Sequence, residues 1–398
     1  MTAIVQKYGG TSVADVEHIR SVARRVAQTR RAGYDVVVIV SAMGQTTDEF
    51  IRLAREMSPH EHPREMDMLL TAGERISMAL LAMAIRDLDL EAVSLTGSQA
   101  GILTDTVHGR AEIQDVRAFR VREHLDQGHV VIVAGFQGVS ASNKEITTLG
   151  RGGSDVTAVA MASYLQAVCE VYKDVDGVFT ADPRVVPGAR LLGEVSFEAM
   201  AELAEAGAQV LARRSVEYGR RLGVPLHVRS SFHEGDGTWV REVRGPVPAV
   251  TGVAHAPAQA LVTVSGPADS SAAEGELVSA LARAGVEADL LGRPGRGEGG
   301  ELLFAVPVEQ ATAASRAAAV AAPGDVAVQS PLGKVAVVGE ALRADPGLAG
   351  QVPALLADAG IAVVAAATRP MRVSCLVADG RLAEAVRVLH GALLEGET

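Results

Sequence analysis

The chain has 398 residues, of which 48% are hydrophobic and 21% are charged. This balance is typical of a folded protein with two or three domains and argues against a disordered chain. The formal net charge of -11 argues against nonspecific binding to nucleic acid or to an anionic membrane, because either would need a basic surface.

Residues 1–245 alternate short apolar runs with stretches of helical spacing. The run at 36–40 is continuously apolar, as in a strand that is buried on both faces of a sheet. This alternation predicts a mainly parallel sheet that is covered on both sides by helices. The predicted strands are 3–8, 35–40, 92–95, 130–134, 168–172 and 225–228, and the predicted helices are 13–31, 66–87, 115–126, 154–165 and 197–222.

The composition changes near residue 250, after which the only aromatic residue is Phe304. Glycine and proline within 241–248 predict a linker or a boundary turn. Beyond it, two stretches of β-α-β-β-α-β order predict two small ferredoxin-like modules. We therefore expect domains at 1–245, 246–333 and 334–398. The first module has predicted strands 261–264 and 302–306 and helix 274–284; the second has strands 334–338, 361–364 and 373–377 and helices 350–359 and 382–389.

The sequence predicts a cytoplasmic protein without a membrane segment. A run of about 18 uninterrupted apolar residues is absent. The first residues lead directly into an apolar run at 3–5, without the segments of a signal peptide. The two cysteines, Cys169 and Cys375, lie inside apolar runs, which fits buried free thiols in a reducing compartment better than a disulfide.

Three loops have residues that suit phosphate binding. Neither a GxxxxGK[ST] loop nor the protein-kinase motifs are present. Residues 7–12 (KYGGTS) and 149–155 (LGRGGSD) each place glycines and a basic side chain before a predicted helix, where free backbone N–H groups attract anions. Residues 173–184 (KDVDGVFTADPR) follow a predicted buried strand, a usual ligand position in α/β sheets. Plain turns and helix caps use the same residue types, so the joint occurrence of the three loops is the stronger argument.

Together with 71–77 (TAGERIS), these three segments resemble the signature segments of aspartate kinases and occur in the same order. The resemblance extends without obvious gaps over roughly residues 1–255 and is nearest to the actinobacterial form. It implies a three-layer α/β/α amino-acid-kinase sandwich with a mainly parallel sheet, followed by two ferredoxin-like ACT modules. The implied reaction transfers a phosphoryl group from ATP to L-aspartate and gives 4-phospho-L-aspartate and ADP.

The resemblance also implies roles for individual residues. Lys7 would bridge the ATP phosphates and the transferring group, and Asp155 would orient Lys7. Arg151 would bind a substrate carboxylate, and Glu74 would pair with the substrate ammonium group. Mg²⁺ would be held mainly by ATP oxygens and water, without a dedicated metal site in the protein. The implied catalytic residues are Lys7 and Asp155; the implied substrate-binding residues are Thr47, Glu74, Arg151, Gly152, Gly153 and Ser154; and the implied nucleotide-binding residues are Lys7, Tyr8, Gly9, Gly10, Ser41, Lys173, Asp174, Phe179, Thr180, Asp182, Arg184 and Gln209.

Several positions depart from the family pattern. Gln209 stands where many members have lysine, which would remove one charge near the nucleotide. In the first module, the segments 268–272 and 286–289 differ from those that line the lysine or threonine site in feedback-regulated members, and in the second module 367–370 replaces a Ser-Thr-Ser-Glu-like run. We therefore expect ACT modules that still pair chains into a homodimer or a larger homo-oligomer, but that bind lysine and threonine weakly or not at all.

Two other functions remain open from the sequence. The same fold could act on another small amino-acid carboxylate, such as glutamate or N-acetylglutamate, although Glu74 favours a free ammonium group. The chain could instead be a non-catalytic regulatory subunit built from ACT modules. The presence of Lys7, Glu74, Arg151 and Asp155 argues against that function.

Overall fold

The computed structural model describes residues 2–60, 62–243, 245, 248–265, 271–292, 301–321 and 324–395. The chain divides into two compact units. The first is Met1–Val178, Leu191–Ala201 and Gln209–Arg244, and the second is Phe179–Arg190, Glu202–Ala208 and Gly245–Thr398.

The strands are β1 (Ala3–Tyr8), β2 (Asp35–Val40), β3 (Ala92–Leu95), β4 (Ile102–Thr104), β5 (Ile113–Val116), β6 (Val130–Ala134), β7 (Gln137–Ser140), β8 (Ile146–Thr148), β9 (Val168–Lys173), β10 (Glu194–Val195), β11 (Leu226–Ser230), β12 (Thr238–Val240), β13 (Gly252–Ser265), β14 (Asp289–Gly292), β15 (Glu301–Pro307), β16 (Asp325–Val338), β17 (Ala365–Arg369) and β18 (Arg372–Ala378). The α-helices are α1 (Val16–Arg31), α2 (Thr46–Met57), α3 (Pro63–Arg86), α4 (Phe119–Asp126), α5 (Gly153–Leu165), α6 (Phe197–Ala206), α7 (Arg213–Leu222), α8 (Ser271–Arg283), α9 (Ala311–Ala321), α10 (Ala341–Ala344), α11 (Pro346–Asp358) and α12 (Leu382–Leu394).

The main sheet of the first unit has eight strands in the order β10-β12-β11-β9-β1-β2-β6-β3. Neighbouring strands run parallel except for β11 and β12. Helices α1 and α3 cover one face through a core that includes Val38, Ile132 and Leu81. Helix α5 packs against β1, β2 and β9 on the other face, where alternate residues such as Ile39 are also buried. The predicted three-layer fold with a mainly parallel sheet is confirmed.

The strand register brings the carboxyl ends of the parallel strands to one edge of this sheet. Tyr8 at the end of β1 pairs with Val40 in β2 and with Tyr172 in β9. Val40 in turn pairs with Ala134 at the end of β6. The loops that follow these strands therefore leave the sheet side by side, which is where α/β folds bind ligands.

Helix α3 presents one polar row of residues to the interior. It begins with Pro63 in its first turn, where proline is favoured because that backbone N–H has no helical partner. Its buried positions recur every three or four residues, so Asp67, Thr71 and Glu74 lie on the inward face. These polar side chains lie on the same buried face as the apolar residues that anchor the helix.

The structure differs from the sequence prediction in two helices of this region. The sequence predicts one helix at 115–126, but Ile113–Val116 forms β5, which pairs antiparallel with β4, and α4 begins only at Phe119. The predicted helix at 197–222 is two helices, because Gly207 has a φ of +125°, which a continuous α-helix does not allow. Helix α2 and a second sheet in the order β5-β4-β7-β8 were not predicted at all.

The second unit contains a six-stranded antiparallel sheet in the order β14-β15-β13-β16-β18-β17. Strands β13 and β16 are each 14 residues long and run through both modules. Residues 252–256 of β13 pair with 334–338 of β16, whereas the rest of β13 pairs with β15 and the first part of β16. The two ferredoxin-like modules are therefore interleaved. The strand predicted at 361–364 begins later, as β17.

The apolar segments of the chain are buried in its cores. One described helix, α3, is long and apolar enough to cross a membrane by length and composition alone. Half of its most apolar window is buried, and Leu81 and Ile85 are fully enclosed, so α3 is a core helix. Cys169 and Cys375 are buried free thiols, as predicted.

Candidate active site

Two lysines and one aspartate form a buried ion cluster at the carboxyl edge of the main sheet. Lys7 lies in β1, Lys173 ends the neighbouring β9, and Asp155 lies in the first turn of α5. The Nζ atom of Lys7 is 2.6 Å from one carboxylate oxygen of Asp155, and the Nζ atom of Lys173 is 3.0 Å from the other. The side chains of Lys7 and Asp155 are only 6% and 5% exposed. The sequence singled out all three residues but linked only Lys7 to Asp155.

The cluster carries one positive charge in excess. Burial favours a higher pKa for Asp155, but Lys173 and Lys7 outweigh it and hold that pKa well below its usual range. Burial lowers the pKa of Lys7, and the neighbouring Asp155 opposes this effect. Asp155 is therefore an ionised anchor for two ammonium groups. Removing Asp155 would leave two ammonium groups without their counterion, at a cost of about 3–5 kcal/mol.

Gly10 lets the loop after β1 pack on the loop after β2. A Cβ at Gly10 would lie 2.9 Å from the carbonyl oxygen of Ala42 and 3.1 Å from that of Gly44. The backbone nitrogen of Gly44 donates to the carbonyl of Gly10 at 3.1 Å. At Gly9, a Cβ would lie 3.5 Å from the Nζ atom of Lys7, so glycine leaves the ammonium group uncovered on that side.

A second glycine-rich turn leads into α5. Gly150 and Gly152 have φ values of +74° and +73°, in the left-handed region that favours glycine. Gly152 caps the helix, and the backbone nitrogen of Asp155 donates to its carbonyl at 3.1 Å. Arg151 lies between these glycines and is exposed, and it forms no ion pair with any of the residues that the structure describes. Its guanidinium group is therefore available to an external carboxylate.

Glu74 is a buried carboxylate with one unpartnered oxygen. The residue is 3% exposed, its Oε1 accepts a hydrogen bond from the backbone nitrogen of Ala42 at 3.2 Å, and its Oε2 has no partner. Burial raises the pKa of Glu74 from 4.5 to about 7, although hydrogen bonds from backbone N–H groups act in the opposite direction. An ammonium group of a ligand would supply the missing partner. Ala42 follows β2, so Glu74 lies at the same sheet edge as the ion cluster.

Tyr8 and Ser41 lie where β1 and β2 end. The Tyr8 ring stacks on Tyr172, with centroids 4.6 Å apart, inside the core below α1 and α3. Tyr8 is 1% exposed, so its ring is not accessible to a nucleotide. The backbone nitrogen of Ser41 donates to the carbonyl of Tyr8 at 3.1 Å, which joins the two loops.

The other site residues predicted in the first unit lie in the loops and helix ends around this edge. Thr47 is in the first turn of α2. Gly153 and Ser154 begin α5, and Ser154 lies beside the loop after β6, where a Cβ at Gly135 would be 2.9 Å from its Oγ. The remaining two are Asp174, which follows Lys173 and is exposed, and Gln209, which is exposed between α6 and α7.

Phe179, Thr180, Asp182 and Arg184, which the sequence assigned to the nucleotide, belong to the second unit. The Thr180 hydroxyl is buried, lies 2.9 Å from Nε2 of His390, and accepts a hydrogen bond from the Arg190 backbone at 2.9 Å. Arg184 and Asp182 form a close ion pair of 2.8 Å, which lowers the pKa of Asp182. Phe179 is half-buried, whereas the Arg184 side chain is 85% exposed.

Sequence reasoning missed two polar contacts near this edge. Ser12 Oγ lies 2.6 Å from Ser231 Oγ, and no local signal could have joined residues 219 positions apart. Asp67 is fully buried and hydrogen-bonded to Thr148 and His108. Its position on α3 does give a signal, because a carboxylate on the inward face of a helix needs a polar partner.

Comparisons with known proteins agree with this geometry. The model of the amino acid kinase family matches residues 2–230, and an ACT domain model matches residues 335–393. The aspartokinase of Mycolicibacterium smegmatis is 49% identical over 98% of this chain and 96% of its own length, and that of Corynebacterium glutamicum is 46% identical with the same coverage. The crystal structure of E. coli aspartokinase III in complex with aspartate and ADP has a TM-score of 0.82 and 24% identity, covering 99% of this chain and 100% of that one. This chain therefore belongs to the amino acid kinase family and, within it, to the aspartokinases.

Proposed function

We propose that this aspartokinase transfers the γ-phosphoryl group of ATP to the side-chain carboxylate of L-aspartate at the carboxyl edge of its main sheet. The observation that carries the proposal is the sharing of one buried carboxylate, Asp155, by the ammonium groups of Lys7 and Lys173. This cluster offers preorganised positive charge where polyanions bind in α/β folds.

The chemistry needs charge balance more than a base. The acceptor carboxylate is ionised at neutral pH, because the ordinary pKa of an aspartate is about 3.9. One of its oxygens attacks the γ-phosphorus, the bond from that phosphorus to the β–γ bridging oxygen breaks, and ADP leaves with the electron pair. Negative charge accumulates on the oxygens in transit, so Lys7 and Lys173 stabilise the transition state.

Asp155 holds the two lysines in place and takes no proton. The lysines keep its pKa well below the usual range, so it is a poor base. Its ion pairs with both Nζ atoms fix two flexible side chains before the substrates arrive, which lowers the entropic cost of ordering them in the transition state.

Glu74 and Arg151 bind the two charged groups of the amino-acid backbone. The unpartnered Oε2 of buried Glu74 accepts a hydrogen bond from the substrate ammonium group. The exposed guanidinium of Arg151 binds the α-carboxylate, which leaves the side-chain carboxylate as the acceptor. Ser41, Thr47 and Ser154 supply neutral hydrogen bonds beside them.

Mg²⁺ would be held by phosphate oxygens of the nucleotide and by water, and would there balance the charge of the phosphates. The described residues include no group of three or more His, Cys, Asp or Glu side chains placed to hold a metal. Asp155 is already occupied by two lysines. Within the first unit, the nucleotide is contacted by the backbone of residues 8–10 and by Lys173, Asp174 and Gln209.

Regulation is proposed to differ from that of lysine- and threonine-sensitive members. Part of the segment 268–272 lies outside the described residues. Asp289 ends the segment 286–289, and its carboxylate is engaged by Lys334 at 2.8 Å and by Arg372 at 3.0 Å within the sheet. We propose a cytoplasmic homo-oligomer assembled through the ACT modules and insensitive to millimolar lysine plus threonine. A coupled assay in which these amino acids inhibit would contradict the insensitivity.

The test of the activity is ADP release measured with L-aspartate, L-glutamate and N-acetylglutamate as acceptors. We expect turnover with L-aspartate and little with the other two, because Glu74 needs a free ammonium group and the acceptor length is fixed. Lys7→Ala should abolish turnover. Lys144→Ala is the matched control, because Lys144 is exposed and its Nζ donates to the carbonyl of Ala141, away from the ion cluster. Equal activity of wild type and Lys7→Ala would refute the proposal.

A further inference from the structure

Asp67 joins helix α3 to the chain segment that leads into Arg151. The Asp67 side chain is fully buried. Its Oδ1 accepts hydrogen bonds from the hydroxyl of Thr148 at 2.5 Å and from the backbone nitrogen of Gly109 at 3.1 Å. Its Oδ2 lies 2.6 Å from Nδ1 of His108. One carboxylate thus ties together a helix, the loop after β4 and the end of β8.

The Thr148 hydroxyl and the Gly109 backbone nitrogen donate to Oδ1, and Nδ1 of His108 lies within hydrogen-bond distance of Oδ2. The carboxylate is thereby held by three partners inside the core. The connection is therefore stiff, although it lies outside the chemistry proposed above.

The turn after Thr148 is held by its backbone. The backbone nitrogen of Leu149 donates to the carbonyl of Phe136 at 2.9 Å, and the carbonyl of Leu149 accepts a hydrogen bond from the guanidinium of Arg214 at 2.6 Å. A Cβ at Gly150 would lie 3.0 Å from the carbonyl oxygen of Gly109, so the turn contacts the loop that Asp67 binds. Arg151 follows directly and has no ion-pair partner among the described residues, so its place depends on this turn.

Helix α3 also carries Glu74. Asp67 and Glu74 are seven residues apart, about two helical turns, and both lie on the buried face. A helix is rigid over that length. Through Asp67, the helix that holds Glu74 therefore also fixes the position of the turn that precedes Arg151.

We propose that Asp67 is a positioning residue that sets the spacing between Glu74 and Arg151, and thereby the fit of the ammonium and α-carboxylate groups of the substrate. Thr148 transmits the position of Asp67 to the Arg151 turn, and His108 fixes the orientation of the carboxylate. The inference rests on the proposed function, because it takes Glu74 and Arg151 as the groups that bind the amino acid.

The test compares Thr148→Val with Thr148→Ser in steady-state kinetics. Thr148→Val keeps the shape of the side chain but removes the donor to Asp67, and we expect the KM for aspartate to rise roughly tenfold with the KM for ATP changed less than twofold. Thr148→Ser keeps the hydroxyl and should restore the wild-type KM. Asp67→Asn replaces an acceptor with a donor and should act in the same direction as Thr148→Val.

Thr104→Val is the matched control. Its hydroxyl is also buried and lies 2.6 Å from that of Thr147, whereas the hydroxyl of Thr148 donates to Asp67. We expect it to lower stability without changing the KM for aspartate. If Thr148→Val and Thr104→Val raised both KM values alike, the contact would be structural only and the inference would be wrong.

Arg151→Ala separates failure of this inference from failure of the proposed function. If Arg151→Ala raises the KM for aspartate but Thr148→Val and Asp67→Asn do not, Asp67 has no positioning role and the proposed function stands. If Arg151→Ala and Glu74→Gln also leave that KM unchanged, the assignment of the amino-acid site fails together with the inference.

Discussion

Glu74→Gln is expected to stabilise the substrate-free protein above neutral pH while weakening its activity. Burial raises the folded-state pKa of Glu74 to about 7, against an ordinary value of 4.5. The folded protein thus holds this proton more tightly than the unfolded chain does. Ionising Glu74 therefore reduces stability progressively as the pH rises from about 4.5 to about 7, and the loss is constant above that range. The interval between the two pKa values corresponds to roughly 3 kcal/mol.

Thermal unfolding of both proteins between pH 5 and pH 8.5 measures this effect. About 2.5 kcal/mol of this loss falls between pH 5 and pH 8.5, so with about 2–4 °C per kcal/mol for a unit of this size the unfolding midpoint of Glu74→Gln should rise relative to that of wild type by roughly 5–10 °C across the range. One polar atom of the new amide also has no hydrogen-bond partner, which lowers the stability of Glu74→Gln by an amount that does not vary with pH. Glu49→Gln, at an exposed position of α2, should show no such trend. A difference between Glu74→Gln and wild type that stayed flat or shrank as the pH rose would refute the reasoning.

The remaining predictions concern charge and accessibility. The KM of wild type for aspartate should rise as the pH falls below about 7, because neutral Glu74 no longer attracts an ammonium group, and Glu74→Gln should lose that dependence. Lys173→Met should lower kcat by about 10²-fold, the usual cost of one preorganised charge partner, whereas Lys144→Met should not. Cys169 and Cys375 should react with a thiol reagent only after denaturation, because burial raises the pKa of both thiols and blocks access. Labelling of either cysteine in the native protein would contradict this.

The sequence predicted best those elements whose environment is uniform along the chain. Strands β2 and β6 are buried on both faces, so their apolar runs mark their bounds directly. Strands β4, β5, β7 and β8 have three or four residues of mixed polarity, too few for a periodic pattern. The loop motifs were visible for a similar reason, since glycines and charges cluster within a few residues.

The contacts between motifs were harder to predict. Nothing in the neighbourhood of Lys173 indicates that it shares Asp155 with Lys7, because the three residues meet only through the register of β1 with β9 and the placement of α5. The same holds for Asp67 and His108, which are 41 residues apart. Chain-distant polar pairs depend on tertiary packing, for which periodicity carries no information.

The two long strands of the second unit, β13 and β16, belong to both of its modules. A fragment that began at residue 334 would lack residues 252–256, and the apolar edge of 334–338 would be left open to pairing with other chains. A fragment from residue 246 onward would keep both halves of the sheet. A change that shortens β13 or β16 therefore alters the pairing of both modules together.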